Sequence, residues 1–195
     1  MWDERYSADT YAYGTEPNVF LRSMLDRLPE GRVLCLGEGE GRNATWLALK
    51  GREVTAVDSS EVGLRKAQRL AQSRGVDITT VHADLKDFPI EHGGWDAIVS
   101  IFCHVPPPLR RDMHRRCAVG LKPGGMFLLE AYTPAQLAYG TGGPPNAELM
   151  MDLESLSAEL EGLEFVYAKE LIRDVHEGSY HDGPGAVVQL LAKRS

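Results

Sequence analysis

The chain has 195 residues, 43% of them apolar and 25% charged, the balance of a folded globule, and at about 150 residues per domain that length suits one domain with trimmings rather than two. Its 21 basic and 28 acidic residues leave a net charge of -7, which opposes the counterion-release attraction that draws proteins to nucleic acid or anionic lipid. The longest charge-free run, 131–147, contains Pro134, Pro144, Pro145 and three glycines, so it cannot form a membrane-spanning helix.

In chain order, residues 1–30 read as an aromatic N-terminal lid and helix ahead of a core over 31–195. Val33 to Leu36 is a short unbroken apolar run ending at glycine, as expected of a central parallel strand buried on both faces. Ala44 to Lys50 reads as helix stopped by Gly51, and Glu53 to Val57 as the next strand. Ser60 can cap a helix reaching about Arg74, and Ile78 to His82 gives the third strand of a βαβαβ half. Asp96 to Phe102 opens the second half as a strand, followed by a helix from Leu109 to Gly120, a turn at Lys122–Gly125 and a strand from Met126 to Tyr132. Asp152 to Leu160 has helical period, and Phe165 to Asp174 and Ala186 to Ala192 form a hairpin around a polar, glycine-containing segment. The expected fold is α/β, Rossmann-like and doubly wound, with a seven-stranded, mostly parallel sheet and a C-terminal antiparallel hairpin.

Glycine is in surplus, 20 of 195 residues, and the loop Gly37-Glu38-Gly39-Glu40-Gly41, running from strand straight into helix, is its most informative cluster. Dinucleotide loops use GxGxxG or GxGxxA, with a third small residue beneath the pyrophosphate. Here positions 42 and 43 are Arg and Asn, so that fingerprint fails. Glu38 and Glu40 would repel a pyrophosphate but suit the ammonium and sulfonium of S-adenosylmethionine.

These motifs resemble the class I S-adenosylmethionine-dependent methyltransferases. The likeness runs in order through Val33–Gly41, Val54–Asp58, Ala83-Asp84-Leu85, Trp95–Ile98 and Leu121–Gly125, about two thirds of the chain. It implies S-adenosylmethionine as cofactor, held by Gly37, Glu38, Gly39, Gly41, Arg42, Asp58, Ser59, Asp84, Leu85 and Ile101, with Asp58 on the ribose hydroxyls and Asp84 and Leu85 at the adenine. Cys35 stands where most of the family carries an acid, and Glu38 is the substitute for the cofactor's ammonium. Within the family, Gly41-Arg42-Asn43, Leu47-Ala48 and Gly178-Ser179-Tyr180-His181 resemble the tellurite-resistance and small-molecule thiol methyltransferases. Asp182 follows the histidine where that group has a basic residue, which weakens an oxyanion role.

His104 and His181 are candidates for orienting or deprotonating a small-molecule acceptor, since imidazole changes charge near neutral pH. No metal is expected, because His176, Glu177, His181 and Asp182 lack a matching ligand pair elsewhere. Arg110, Arg111, His114, Arg115 and Arg116 read as a solvated helix face, and Cys35, Cys103 and Cys117 as buried reduced thiols. The first five residues lack the basic and apolar stretches of a signal peptide, giving a cytoplasmic expectation. The rival readings are a nicotinamide-dependent oxidoreductase on the same topology and a non-catalytic cofactor-binding module. The oligomeric state has no sequence signal. Gly63, inside the helix capped by Ser60, is left without a reason.

Overall fold

The computed structural model describes residues 2–195. One seven-stranded sheet organises the chain in the order β3-β2-β1-β4-β5-β7-β6. Its strands are β1 Arg32–Leu36, β2 Glu53–Asp58, β3 Thr79–His82, β4 Trp95–Ile101, β5 Leu121–Tyr132, β6 Leu163–His176 and β7 Asp182–Arg194. β1 to β5 pair in parallel, and β7 runs antiparallel to both β5 and β6. The helices are α1 Trp2–Arg5, α2 Val19–Ser23, α3 Arg42–Leu49, α4 Glu61–Ser73, α5 Pro107–Gly120 and α6 Leu153–Glu159. Among the described residues no helix is long and apolar enough to cross a membrane.

The central strands explain the two-layered core. Successive side chains of a strand point to opposite faces. Val33 and Cys35 therefore pack with Leu21, Leu47 and Leu64 under α2, α3 and α4, while Leu34 and Leu36 pack with Met113, Cys117 and Leu156 under α5 and α6. Because strand order reverses between β1 and β4, their carboxyl ends open a crevice, the place where α/β sheets bind ligands.

Two sequence expectations need correction. The hairpin strands are longer than the polar residues suggested, pairing out to His176 opposite Asp182, so the connection is only 177–181. Pro184 is tolerated there because β7 pairs with β5 only from Val187 to Lys193, leaving that end of the strand unpaired on one side. The basic run on α5 is not one solvated face. Arg110 and His114 are buried and both bind the Glu159 carboxylate, at 2.8 Å each, tying α5 to α6. Arg116 reaches back to the carbonyls of Leu85 and Phe88.

Candidate active site

The glycine loop leaves β1 with Gly37, Gly39 and Gly41 all at positive φ, +59°, +60° and +85°. Only glycine adopts this region without penalty, and the contacts add a second reason. A Cβ on Gly41 would lie 2.4 Å from Ala67 Cβ on α4, and one on Gly39 would lie 2.5 Å from Tyr6 Oη. Gly63 now has its reason too, since a Cβ there would come 2.9 Å from the Tyr6 ring and 3.0 Å from the Gly39 carbonyl oxygen.

Asp58, buried at the end of β2, accepts from the Gly39 N–H with Oδ2 and from the Ser60 N–H with Oδ1, both at 2.8 Å. Burial raises its pKa, against the pull of those N–H groups. Ser60 caps α4 through the Gly63 N–H, and Ser59 is exposed beside it. Leu85 is buried, whereas Asp84 is exposed and accepts from Lys86 N–H to close its own turn. Ile101 is buried at the end of β4.

The two loop glutamates are not free charges facing a ligand. Glu38 Oε1 accepts from the N–H groups of Asn43 and Ala44 at 3.0 and 2.8 Å, capping α3. Burial pushes its carboxyl up to about 7, and the Cys35 thiol packs against it. Glu40 pairs with Lys66 and accepts from Ala12 N–H at 2.7 Å. The spacing of charges in the loop could not reveal the Glu40 contacts, because Lys66 and Ala12 arrive from elsewhere in the chain, whereas the Glu38 contacts lie five and six residues on.

Residues 2–14 form a strap over the loop. Lys66, 3% exposed, donates from Nζ to the carbonyls of Tyr6, Ala8 and Thr10 at 3.3, 2.8 and 2.8 Å while paired with Glu40. Asp3 accepts from the Ser60 hydroxyl at 2.5 Å, fastening α1 to the start of α4. The strap then meets the hairpin tip, where Ser179 N–H donates to the Ala12 carbonyl.

At the end of the crevice where an acceptor is expected, the structure brings Tyr13, Phe102, Tyr132 and His181 together. The His181 ring lies 4.7 Å from Tyr13, 4.6 Å from Phe102 and 5.2 Å from Tyr132. A Cβ on Gly143 would collide with the Tyr132 ring and one on Gly142 with its hydroxyl, while one on Gly185 would collide with Val175 and press on the same ring, which accounts for part of the glycine surplus. His104 is differently placed: Nδ1 bonds the Phe102 carbonyl and Nε2 accepts from Tyr132 N–H, both at 3.1 Å. With both nitrogens used, His104 holds the ends of β4 and β5 rather than presenting a free base. Burial lowers its pKa to about 4. His176 pairs with Asp182 on the surface.

A charged network that the sequence did not disclose underlies this end. Glu130, fully buried in β5, takes both arms of Arg173 at 2.8 and 2.6 Å, and also accepts from Asn18 and Gln189. Glu177 accepts from Arg173, Arg42 and Asn18. Arg42, expected at the cofactor, is thereby committed to Glu177 at 2.5 Å. The signal that could have found this network is a lone carboxylate in the apolar strand Met126–Tyr132.

The sheet order, with its antiparallel C-terminal strands, matches the Rossmann-like fold of methyltransferases, and the glycine loop and the carboxylate at the end of β2 lie at its crevice. Residues 33–125, just under half of the chain, match the family model described as "Methyltransferase domain". Among curated relatives it is 33% identical over 121 residues to the ubiquinone biosynthesis O-methyltransferase of Xanthomonas campestris, covering 60% of this chain and 50% of that one. It is 30% identical over 151 residues to the ribosomal RNA small subunit methyltransferase C of Chromohalobacter salexigens, covering 70% and 41%. The chain thus spans about half the length of the curated relatives it matches. TehB from Haemophilus influenzae superposes with a TM-score of 0.76 at 18% identity, covering all of this chain and 66% of that one. A structure titled for conversion of a disulfide bond into a thioacetal group during echinomycin biosynthesis gives 0.78 at 19% identity, with 99% and 88% covered. At these identities the structural likenesses show the fold.

Proposed function

We propose that the chain forms a methyltransferase domain, residues 1–30 serving as lid and helix and 31–195 as core, that transfers a methyl group from S-adenosylmethionine to a small-molecule acceptor. The Asp58 carboxylate is the observation that carries this reading. Each of its oxygens has taken one backbone N–H and keeps acceptor capacity for one ribose hydroxyl. Gly37, Gly39 and Gly41 present backbone rather than side chain to the cofactor, with Ser59, Asp84, Leu85 and Ile101 around the base and sugar. Glu38, whose second oxygen is not used by α3, is the loop carboxylate assigned to the ammonium. Bound, the cofactor supplies a methyl group on a positively charged sulfur, and alignment for in-line displacement can provide much of the acceleration. The strap must lift from Gly39 to admit it, since the Tyr6 hydroxyl rests there.

The acceptor end fits a small molecule because strap, hairpin tip and segment 141–143 close over it. His181 is the residue assigned to orient the acceptor. A thiol or chalcogen acceptor is supported by the motifs shared with the tellurite-resistance group and by the likeness to TehB. An oxygen acceptor is supported by the relatives named for ubiquinone O-methylation. The absence of a nucleic-acid partner belongs to the same proposal, resting on the net charge of -7, and so does a cytoplasmic location, resting on three free, buried cysteines. Transfer of labelled methyl from S-adenosylmethionine, screened across thiols, phenols, chalcogen oxyanions, amines and carboxylates, tests it. Labelled product with at least one small acceptor is expected, and none from any class would overturn the assignment.

A further inference from the structure

Two polar atoms at the acceptor end have no partner in the chain: His181 Nδ1 and Tyr132 Oη, both shielded from solvent. Their residues are 6% and 0% exposed, and the two rings stand perpendicular. A buried polar atom left unpaired costs about 1–3 kcal/mol, so two in adjoining rings mark a place that a ligand atom completes. Phe102 closes the box 4.6 Å from each ring and is the only non-glycine residue at positive φ among the described residues. Such backbone strain concentrates at functional sites.

The buried charged groups around this box are already matched. Arg42 and Arg173 are held by Glu177 and Glu130, which they neutralise. Arg5, at the exposed rim, donates to Tyr13 Oη and lies over the Tyr180 ring. Burial and the neighbouring Arg42 lower the His181 pKa to about 3, so the imidazole brings no positive charge at neutral pH. Moving an anion from water into such surroundings is strongly unfavourable without a committed cation.

We propose that the box recognises an uncharged acceptor, a phenol or thiol whose O–H or S–H donates to His181 Nδ1 and whose heteroatom accepts from the Tyr132 hydroxyl, and that it rejects oxyanions. This rests on the reading of the chain as a small-molecule methyltransferase and narrows its substrate class. The aromatic walls suit a planar ring or a soft sulfur, both of which gain contact with π faces.

The test titrates 4-methylphenol, benzyl mercaptan and tellurite, each by ligand-observed NMR, into protein saturated with S-adenosylhomocysteine. Binding of the phenol or the thiol, without tellurite binding, is expected. His181→Ala and Tyr132→Phe should each weaken the bound neutral ligand about three- to tenfold, the scale of one lost hydrogen bond, and leave S-adenosylhomocysteine affinity unchanged. Tellurite binding, or neutral-ligand affinity equal to wild type in both variants, would overturn the proposal. Failure of S-adenosylhomocysteine itself to bind would strike the cofactor reading, whereas its binding with neither neutral ligand bound would strike this inference alone.

Discussion

The half of the crevice proposed for the cofactor and the half proposed for the acceptor are built in opposite ways. The cofactor half consists of loops that each follow their own strand: 37–41 after β1, 58–60 after β2 and 84–85 after β3. Its geometry is dictated locally, by positive-φ glycines and a carboxylate binding nearby N–H groups. The acceptor half is assembled from the strap, the ends of β4 and β5, the 141–143 segment and the hairpin tip, and a buried network of two carboxylates and two guanidinium groups holds those distant pieces together. One half tolerates change through its own backbone, the other only through its long-range ties.

Cutting those ties should have the largest effect. Arg173→Ala leaves the fully buried Glu130 without its bidentate partner, and breaking a buried pair on one side costs about 3–5 kcal/mol. Urea unfolding should show that loss. If the halves are separate, S-adenosylhomocysteine affinity of the folded fraction stays near wild type, and its collapse would show that they are one unit. Gly39→Val sharpens the contrast from the other side. The positive φ and the Tyr6 contact both oppose a branched side chain, so cofactor affinity should fall below detection while the acceptor half remains folded.

Lys66→Met addresses the strap that spans both halves. Removing the ammonium leaves the carbonyls of Tyr6, Ala8 and Thr10 and the Glu40 carboxylate without their shared donor. Amide hydrogen exchange in residues 2–14 should accelerate about tenfold or more, the scale of one to two lost charged hydrogen bonds, with the sheet unchanged. Equal exchange in strap and sheet would mean the strap is not an independent unit.

Acid should separate the halves by sign, with the smallest effect. Glu38 has a raised carboxyl pKa of about 7, so its contribution is complete below its ordinary value of 4.5 and is lost as pH rises through 7. His104 and His181 have lowered values, about 4 and 3, so their contributions are present above 6.5 and are lost as pH falls toward those values. Unfolding midpoints measured from pH 4.5 to 7 should gain slope with pH in Glu38→Gln and lose slope in His104→Asn. The same shift in both would erase the distinction.

The same contrast explains what was legible in the sequence. Strands β1 to β5, the glycine loop between β1 and α3 and the place of Asp58 at the end of β2 could be read because apolar runs, turn glycines and helix caps are written in consecutive residues. The three cysteines are free and buried, as their apolar settings suggested. The charged network could not be read this way, since Asn18 and Glu177 are 159 residues apart. Lys66 is intermediate: it lies on the same helical face as Gly63 and Leu70, both buried, and that phase is a signal for a buried ammonium. Pro184 and its flanking glycines disguised the end of β7 because turn residues and an unpaired strand end share a composition.

The central claim is that Asp58 and the glycine loop hold S-adenosylmethionine. Calorimetric titration of S-adenosylhomocysteine into wild type and Asp58→Ala tests it most directly, with NAD as the control. Micromolar binding to wild type, a loss of about 1–3 kcal/mol in the variant and no heat from NAD are predicted. Binding of NAD in place of S-adenosylhomocysteine, or equal affinity in the two proteins, would contradict the account.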